Sequence, residues 1–318
     1  MRVRVGVVGH VEWVQFAVVE RVPAAGEIVH ARETFAEPAG GGAVATVQLA
    51  KLAGSALFLT ALGDDDTARD AERALRERFG VDVQAASRPS PQRRCFTFLD
   101  DAGERTITVL GERIVPLRAD PLPWDALGEL DGIYLTGGDA DAVRAARAAR
   151  VLVATPRAMG ALAQSGVQLD VLVRSANDPG ERYEPGVLDP PPRWVVSTRG
   201  GLGGAWTGET EGAWEAAALP GPPVDAYGCG DSFAAGSSGS RSPRQRVGAE
   251  PQASPRTRNG LDSSQRSNQC APSRIERKTS ASSSSASRKS RRACAGSSPC
   301  GASSAMPRSG CSSEAISV

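Results

Sequence analysis

Aromatic side chains are scarce in this sequence, and its last 82 residues contain none. From residue 237 onward there is no Phe, Trp or Tyr, aliphatic residues are few, and the segment includes "SASSSSASRKSRR". A segment so poor in apolar side chains cannot offset the conformational entropy that it would lose on folding. We therefore predict a folded domain over residues 1–236 and a disordered tail over residues 237–318.

Long apolar runs and clustered cysteines are also lacking. No segment approaches the roughly 18 consecutive apolar residues that a membrane helix needs, and "MRVRVGVVGH" predicts a short buried strand rather than a signal peptide. Only Cys95 and Cys229 lie in the folded part, too far apart for a metal knuckle, and the other four cysteines have no metal-ligand spacing. These absences favour a cytoplasmic protein without a membrane segment.

Charge is divided unevenly between the two segments. Residues 237–318 hold 14 of the 37 Lys and Arg residues and 4 of the 36 Asp and Glu residues, a net charge of +10. Residues 1–236 therefore carry a net charge of −9, which argues against a nucleic-acid surface there. A basic tail can attract nucleic acid, but this one has no aromatic residue for base stacking and no folded module. The sequence therefore disfavours nucleic acid as a partner.

Short apolar runs alternate with helical patterns across residues 1–236. The runs "VRVGVV", "ALFLTALGDD", "GIYLTG", "RVLVAT", "LDVLVRS" and "RWVVSTRG" predict buried strands, whereas "GGGAVATVQLAKLAG" and "DTARDAERALRERFG" predict helices. This alternation predicts an α/β fold with a mainly parallel central sheet that is covered on both faces. Ligands of such sheets bind beyond the carboxyl ends of the strands, where "TGG", "TPR", "SAND" and "STRGG" lie.

Two β-rich segments, at about 14–37 and 93–110, stand outside this alternation. The sequence "RRCFTFLDDAGERTITVL" predicts a hairpin that turns at "DAG", and the region 16–35 predicts two exposed strands joined by a turn. The apolar residues of the hairpin would be exposed and would allow a homodimer without requiring one; they are Phe96, Phe98, Ile107 and Val109.

The stretch "YGCGDSFAAG" predicts a glycine turn that opens a helix at Gly228, Cys229, Gly230 and Asp231. The first N–H groups of a helix lack intrahelical partners and carry partial positive charge, so an anion binds there. A carboxylate beside such a site can take a proton from an attacking hydroxyl while the amides hold a phosphoryl group. The alternative interpretation is a plain turn in which Asp231 caps the helix.

The wider stretch "DAYGCGDSFAAG" resembles the second signature of the ribokinase-like (PfkB) sugar kinase family. The segment "PAGGGAVATVQLAKLAG" is similar to the first signature, and "GERTIT" and "STRGGLGG" follow in the family's order, so the resemblance covers about residues 3–236. It implies a three-layer ribokinase-like fold in which the two β-rich segments form a small lid that excludes water. It also implies ATP with Mg²⁺, Asp231 as the catalytic base, and the amides of Gly228, Cys229 and Gly230 as an anion hole.

The resemblance assigns further residues to the two substrates. Thr198, Gly200 and Gly203 would line the nucleotide, and Asn177 would match an Asn-x-x-Glu element near ATP and magnesium, although here Glu181 follows one residue late. On the acceptor side, Gly41 and Gly42 match the glycines that lie against the sugar ring. Where the family has a sugar-binding asparagine and aspartate, this chain has Ala45 and Val14, and Glu12 and His10 are the candidate substitutes.

The implied activity is phosphorylation of a hydroxyl group on a sugar or sugar-like molecule. A catalytically impaired, ligand-binding relative and a nucleoside kinase remain as alternatives, because the sugar contacts are altered. In the family, further apolar elements follow the base-bearing helix. The composition of this tail, in contrast, is typical of coding DNA translated in a shifted reading frame. We hypothesise a frame change just after residue 236 and expect the chain as written to bind ATP weakly, aggregate or lack activity.

Overall fold

A nine-stranded sheet forms the centre of the computed structural model, which describes residues 3–218 and 226–239. A second, separate sheet has four strands. The strands are β1 (Val5–Val8), β2 (Glu12–Val18), β3 (Glu33–Ala39), β4 (Leu57–Leu62), β5 (Asp82–Ser87), β6 (Arg94–Leu99), β7 (Arg105–Leu110), β8 (Gly132–Leu135), β9 (Val151–Ala154), β10 (Val171–Ser175), β11 (Trp194–Thr198), β12 (Gly204–Gly208) and β13 (Gly212–Trp214). The helices are α1 (Gly40–Ala53), α2 (Asp66–Arg73), α3 (Ala140–Ala146), α4 (Met159–Ser165) and α5 (Cys229–Ser238).

The central sheet has the order β13-β12-β11-β10-β9-β8-β1-β4-β5, and the seven neighbouring strands β11-β10-β9-β8-β1-β4-β5 pair in parallel. Its middle strands β1, β8 and β9 are buried at every residue. Strands that are buried on both faces consist of continuous apolar runs instead of alternating ones. This is why "VGVV", "GIYL" and "VLVA" could be recognised as strands from the sequence.

Helices cover both faces of the sheet. Val7 of β1 belongs to the core that includes Leu49 of α1 and Ala235 of α5, whereas the adjacent Val8 belongs to the opposite core with Val143 of α3. Successive strand residues point to opposite faces, so the two valines divide between the two cores. The predicted three-layer α/β fold is thereby confirmed.

The second sheet has the order β3-β2-β6-β7 and corresponds to the predicted lid segments. The expectation that both strands of the first segment are exposed was wrong for β2, where Val14 and Phe16 are 0% and 3% exposed. These side chains pack against Cys95 of β6 on the inner face of the lid. The outer strand β7 is exposed at every residue, as predicted for Ile107 and Val109. A dimer through the lid stays a prediction.

The tip of the lid is hydrogen-bonded to Ala226, which lies two residues before the N-cap of α5. The N–H of Ala226 donates to the carbonyl oxygen of Gly103 at 3.2 Å. The guanidinium of Arg105 donates to the carbonyl oxygen of Ala226, also at 3.2 Å. These two contacts tie β7 and the lid turn to the start of α5.

An antiparallel hairpin at one edge of the central sheet was not predicted. The strands β12 and β13 are short and glycine-rich, and tryptophan stacking stabilises them: Trp214 lies between Trp206, at 6.1 Å, and Phe233 of α5, at 5.7 Å. The strand β5 was not predicted either. The helix α5 continues to Ser238, two residues past the predicted domain boundary, and residues 240–318 of the predicted tail lie outside the described residues. No helix in the described part of the chain is long and apolar enough to cross a membrane.

Candidate active site

The turn at Gly228 directs the start of α5 toward α1. Gly228 has a φ of 70°, in the left-handed region that favours glycine, and a β-carbon there would lie 2.7 Å from Cγ1 of Val44. Gly228 is also the N-cap residue, and no side chain caps the helix. The alternative in which Asp231 merely caps α5 is therefore wrong, because Asp231 lies inside the first turn.

The first turn of α5 is accessible to solvent at Gly230. Gly230 is exposed, and a β-carbon built on it would meet no atom within 4 Å. The amides of a first helical turn have no intrahelical acceptor, and the helix dipole favours negative charge at this end. The start of α5 thus combines access with the properties of an anion-binding site.

The carboxylate of Asp231 is half-buried beside this turn and accepts a hydrogen bond from the hydroxyl of Tyr134, with 2.9 Å between the oxygens. The pKa of Asp231 is raised to about 6, mainly by burial and also by the negative charge of Glu181, whereas the Tyr134 hydrogen bond and the positive charge of Arg157 oppose the rise. A carboxyl with a pKa near neutrality is well matched to act as a general base.

Two glycines of α1 lie where no side chain would fit. A β-carbon on Gly41 would be 2.9 Å from Oδ1 of Asp231, so the start of α1 faces the start of α5. A β-carbon on Gly42 would be 2.5 Å from the carbonyl oxygen of His10. The structure therefore places Gly41 directly at the carboxylate and Gly42 against the loop after β1.

Glu12 lies at the start of β2 and has protein partners on both of its oxygens. Oε1 is 2.8 Å from Nε of Arg93, an ion pair whose N–H is not aligned for a hydrogen bond, and Oε2 accepts from the thiol of Cys95 at 3.2 Å. A carboxylate has acceptor sites for more than two donors, so these two contacts leave acceptor capacity on Glu12. Val14 and Ala45 are fully buried apolar residues and offer no such contact.

Buried beside Glu12 is His10, whose Nε2 lies 3.7 Å from Oε1 of that carboxylate. The pKa of His10 is lowered to about 3, mainly by burial and also by repulsion from Arg113, Arg93 and Arg157. His10 is therefore neutral at physiological pH. Its Nδ1 is buried and has no hydrogen-bond partner among the described residues.

The residues assigned to the nucleotide lie at the carboxyl ends of β10 and β11. Asn177 is exposed, and its N–H donates to Oγ of Ser175 at 3.2 Å. The hydroxyl of Thr198 donates to the carbonyl oxygen of Arg174 at 3.3 Å. These contacts fold the two strand ends into neighbouring turns.

The glycines after β11 differ in their surroundings. Gly200 has a φ of 60° and open space where a β-carbon would be. Gly203 has a φ of 89°, and a β-carbon there would be 2.1 Å from the carbonyl oxygen of Trp214. Close backbone packing is sufficient to require glycine at position 203, whereas the open space at Gly200 leaves room for a ligand.

The pfkB family carbohydrate kinase model matches residues 4–179, more than half of the 318-residue chain. The chain belongs to the pfkB family of carbohydrate kinases. The matched region contains α1 and the lid and ends before α5.

Solved structures of several kinases share this fold. The ribokinase from Arabidopsis thaliana complexed with ribose and ATP is 20% identical with a TM-score of 0.55, over 79% of this chain and 88% of that chain. Phosphofructokinase-2 from Escherichia coli in complex with fructose-6-phosphate is 14% identical with a TM-score of 0.54, over 75% and 86%. The adenosine kinase from Sinorhizobium meliloti is 15% identical with a TM-score of 0.54, over 74% and 86%. No curated protein matches the sequence.

Several residues at this pfkB-type site were not singled out from the sequence. Tyr134 is 1% exposed at the end of β8 and had been assigned only to a buried strand, although a buried tyrosine hydroxyl needs a partner. Glu181, in contrast, was noted in the sequence as one residue late; its carboxylate accepts from the N–H of Ser175 at 2.7 Å and pairs with Arg157 at 3.2 Å. Arg93 and Arg113, on either side of the lid hairpin, carried no local sequence signal.

Proposed function

We propose that this pfkB family member transfers the γ-phosphoryl group of ATP to a hydroxyl group of a sugar or sugar-like molecule. The observation that carries the proposal is the half-buried carboxylate of Asp231, with a pKa of about 6, beside the open first turn of α5. The ribose- and ATP-bound ribokinase of the same fold supports ATP as the phosphoryl donor.

In the proposed reaction, Asp231 accepts the proton of the acceptor hydroxyl while the hydroxyl oxygen bonds to the γ-phosphorus. The bond between that phosphorus and the β,γ-bridging oxygen breaks, and ADP leaves. The amides of Gly228, Cys229 and Gly230 stabilise the negative charge on the transferred group. Gly41 lets the acceptor approach the carboxylate, and Gly42 and Glu12 contact its other side.

The nucleotide would lie along the turns after β10 and β11, in contact with Thr198, Gly200, Gly203 and Asn177. The described residues hold no cluster of three or more His, Cys, Asp and Glu side chains that could bind a metal. Mg²⁺ in kinases takes much of its coordination from phosphate oxygens and water, so a single nearby carboxylate such as Glu181 fits this ion. When bound, Mg²⁺ neutralises phosphate charge.

Two alternatives have specific support. Ala45 and Val14 remove the family's polar sugar contacts, which favours a ligand-binding protein with impaired catalysis. The same loss, together with the adenosine kinase among the structures of this fold, favours a nucleoside as the acceptor.

The test is ADP release by the 318-residue chain with ATP, Mg²⁺ and a panel of sugars and nucleosides. Acceptor-dependent ADP release that Asp231→Asn lowers by about 10²–10⁴-fold would support the proposed function, and it would refute the expectation that the chain as written is inactive. Release with nucleosides alone would identify a nucleoside kinase. Binding of an acceptor and ATP without any ADP release would support the catalytically impaired alternative, and sugar-dependent release unaffected by Asp231→Asn would contradict the assigned base.

A further inference from the structure

Three arginines converge where the lid joins the central sheet. Arg93 immediately precedes β6, Arg113 follows β7 by three residues, and Arg157 follows β9. The carbonyl oxygen of Arg93 accepts from the N–H of Trp13 at 3.0 Å, and a guanidinium N–H of Arg113 donates to the carbonyl oxygen of Arg157 at 3.1 Å. The positive charges of all three arginines lower the pKa of the buried His10, so the three side chains lie near one another.

Two of these arginines are neutralised by carboxylates. Arg93 pairs with Glu12, and Arg157 pairs with Asp178 and Glu181. Arg113 is half-buried and forms no ion pair within residues 3–218 and 226–239. Its side chain therefore holds a positive charge in partly desolvated surroundings, with only a carbonyl contact.

The electrostatic surroundings agree with an unmatched charge. Burial lowers the pKa of the Arg113 guanidinium, and repulsion from Arg93 and Arg157 lowers it further, while Glu12 and Asp231 oppose the shift. His10 is neutral and contributes no compensating charge. Leaving a partly buried charge unpaired is unfavourable, and an anion supplied by a ligand would remove that cost.

The lid position of Arg113 indicates which ligand supplies the anion. The turns assigned to the nucleotide follow β10 and β11, whereas Arg93 and Arg113 flank the lid strands β6 and β7. In the lid, β6 also pairs with β2, and β2 pairs with β3, which leads into Gly41. The planar guanidinium fork matches carboxylate and phosphate oxygens.

We propose that Arg113, flanked by Arg93 and Arg157, binds an anionic group of the acceptor, so that the acceptor is a sugar phosphate or a sugar acid and not a neutral sugar. This inference rests on the proposed function, because it assigns the lid side of the site to the phosphoryl acceptor. The phosphate ester and the carboxylate share the chemistry that Arg113 recognises.

Calorimetric titration of the 318-residue chain tests the inference with matched probes. The neutral probes are ribose, fructose and glucose, and the anionic probes are ribose 5-phosphate, fructose 6-phosphate, glucose 6-phosphate and gluconate. We expect at least one anionic probe to bind on the order of 10-fold or more tightly than its neutral counterpart. Tighter binding of gluconate alone identifies a sugar acid, and tighter binding of an ester alone identifies a sugar phosphate. If no anionic probe binds more tightly, the inference is wrong.

Variants then assign the effect to the residue. Arg113→Gln should remove the preference for the anionic probe and leave the affinities for ATP and the neutral sugar unchanged, and Arg113→Lys should restore part of the preference. Arg94→Gln is the matched control, since Arg94 is an exposed arginine on the same lid. A preference that survives Arg113→Gln would overturn the inference. ATP titration of the same samples separates the two failures: absent ATP binding contradicts the proposed function, whereas normal ATP binding without a preference contradicts only this inference.

Discussion

The hydroxyl of Tyr134 at the end of β8 donates a hydrogen bond to Oδ1 of Asp231 in the first turn of α5, across 97 residues of sequence and 2.9 Å of space. The contact fixes the orientation of the carboxylate relative to the central sheet. It also stabilises the charged form of Asp231, which burial destabilises, so the two effects together hold the pKa at about 6.

The pH dependence of catalysis should follow this pKa. A general base must be deprotonated, so kcat/KM is expected to fall about tenfold per pH unit below pH 6 and to level off above it. Initial-rate measurements from pH 5 to 8 would show the acid limb. A limb near pH 4, the range of an ordinary carboxyl, would contradict a buried base.

Removing the Tyr134 hydroxyl should move that limb to higher pH. Tyr134→Phe deletes a hydrogen bond that lowers the pKa of Asp231, so the carboxylate is protonated over a wider range. We expect activity at pH 6 to fall about 2- to 10-fold and to recover in part at pH 8. Tyr183→Phe is the control, because burial alone raises the pKa of Tyr183 and no carboxylate contributes. An equal loss at every pH would indicate a structural role only.

Replacement of the base should stabilise the protein while it lowers activity. Because the pKa of Asp231 is raised in the folded state to about 6, the folded chain binds more protons than the unfolded chain between about pH 4 and pH 6. The ionised carboxylate therefore lowers the free energy of unfolding at neutral pH by about 1–3 kcal/mol. Asp231→Asn removes that cost and keeps an oxygen acceptor for Tyr134.

Thermal denaturation would measure this effect. The Asp231→Asn variant is expected to have a higher Tm at pH 7.5, by about 2–4 °C for each kcal/mol. The difference should disappear below pH 4, where the carboxyl is protonated in both states. A lower Tm at pH 7.5 would show that the charged carboxylate contributes to stability, contrary to its burial.

Gly41→Ala should impair catalysis with little effect on stability. The added methyl group would lie 2.9 Å from Oδ1 of Asp231 and would displace the carboxylate. A displacement of about 1 Å can lower the rate on the order of 10²-fold. Gly160→Ala in α4 is the matched control, because a β-carbon there meets no atom within 4 Å. Unchanged kcat in Gly41→Ala would place the acceptor hydroxyl elsewhere.

The parts of the molecule that local sequence determines were the parts predicted correctly. Apolar runs identified the central strands, and glycines followed by a helical pattern identified α1 and α5. Tyr134 and Arg113 could not be assigned, because their roles depend on partners distant in sequence. The edge strands β12 and β13 were missed because glycine is unfavourable in strands, and their stability comes from tryptophans that stack across the hairpin. Glu181 lies one residue later than the family pattern, but the turn at Pro179–Glu181 places its carboxylate within hydrogen-bond distance of the N–H of Ser175.

The two hydrogen bonds between the lid tip and Ala226 have a mechanical consequence. Raising the hairpin would break both at once and release the residue that leads into Tyr227 and Gly228. If the turn at Gly228 binds phosphate as we propose, it would be fully held only while the hairpin is down over an acceptor. In the proposed kinase, this arrangement would discourage futile ATP hydrolysis, because water arriving at an empty, raised lid would meet an unassembled turn.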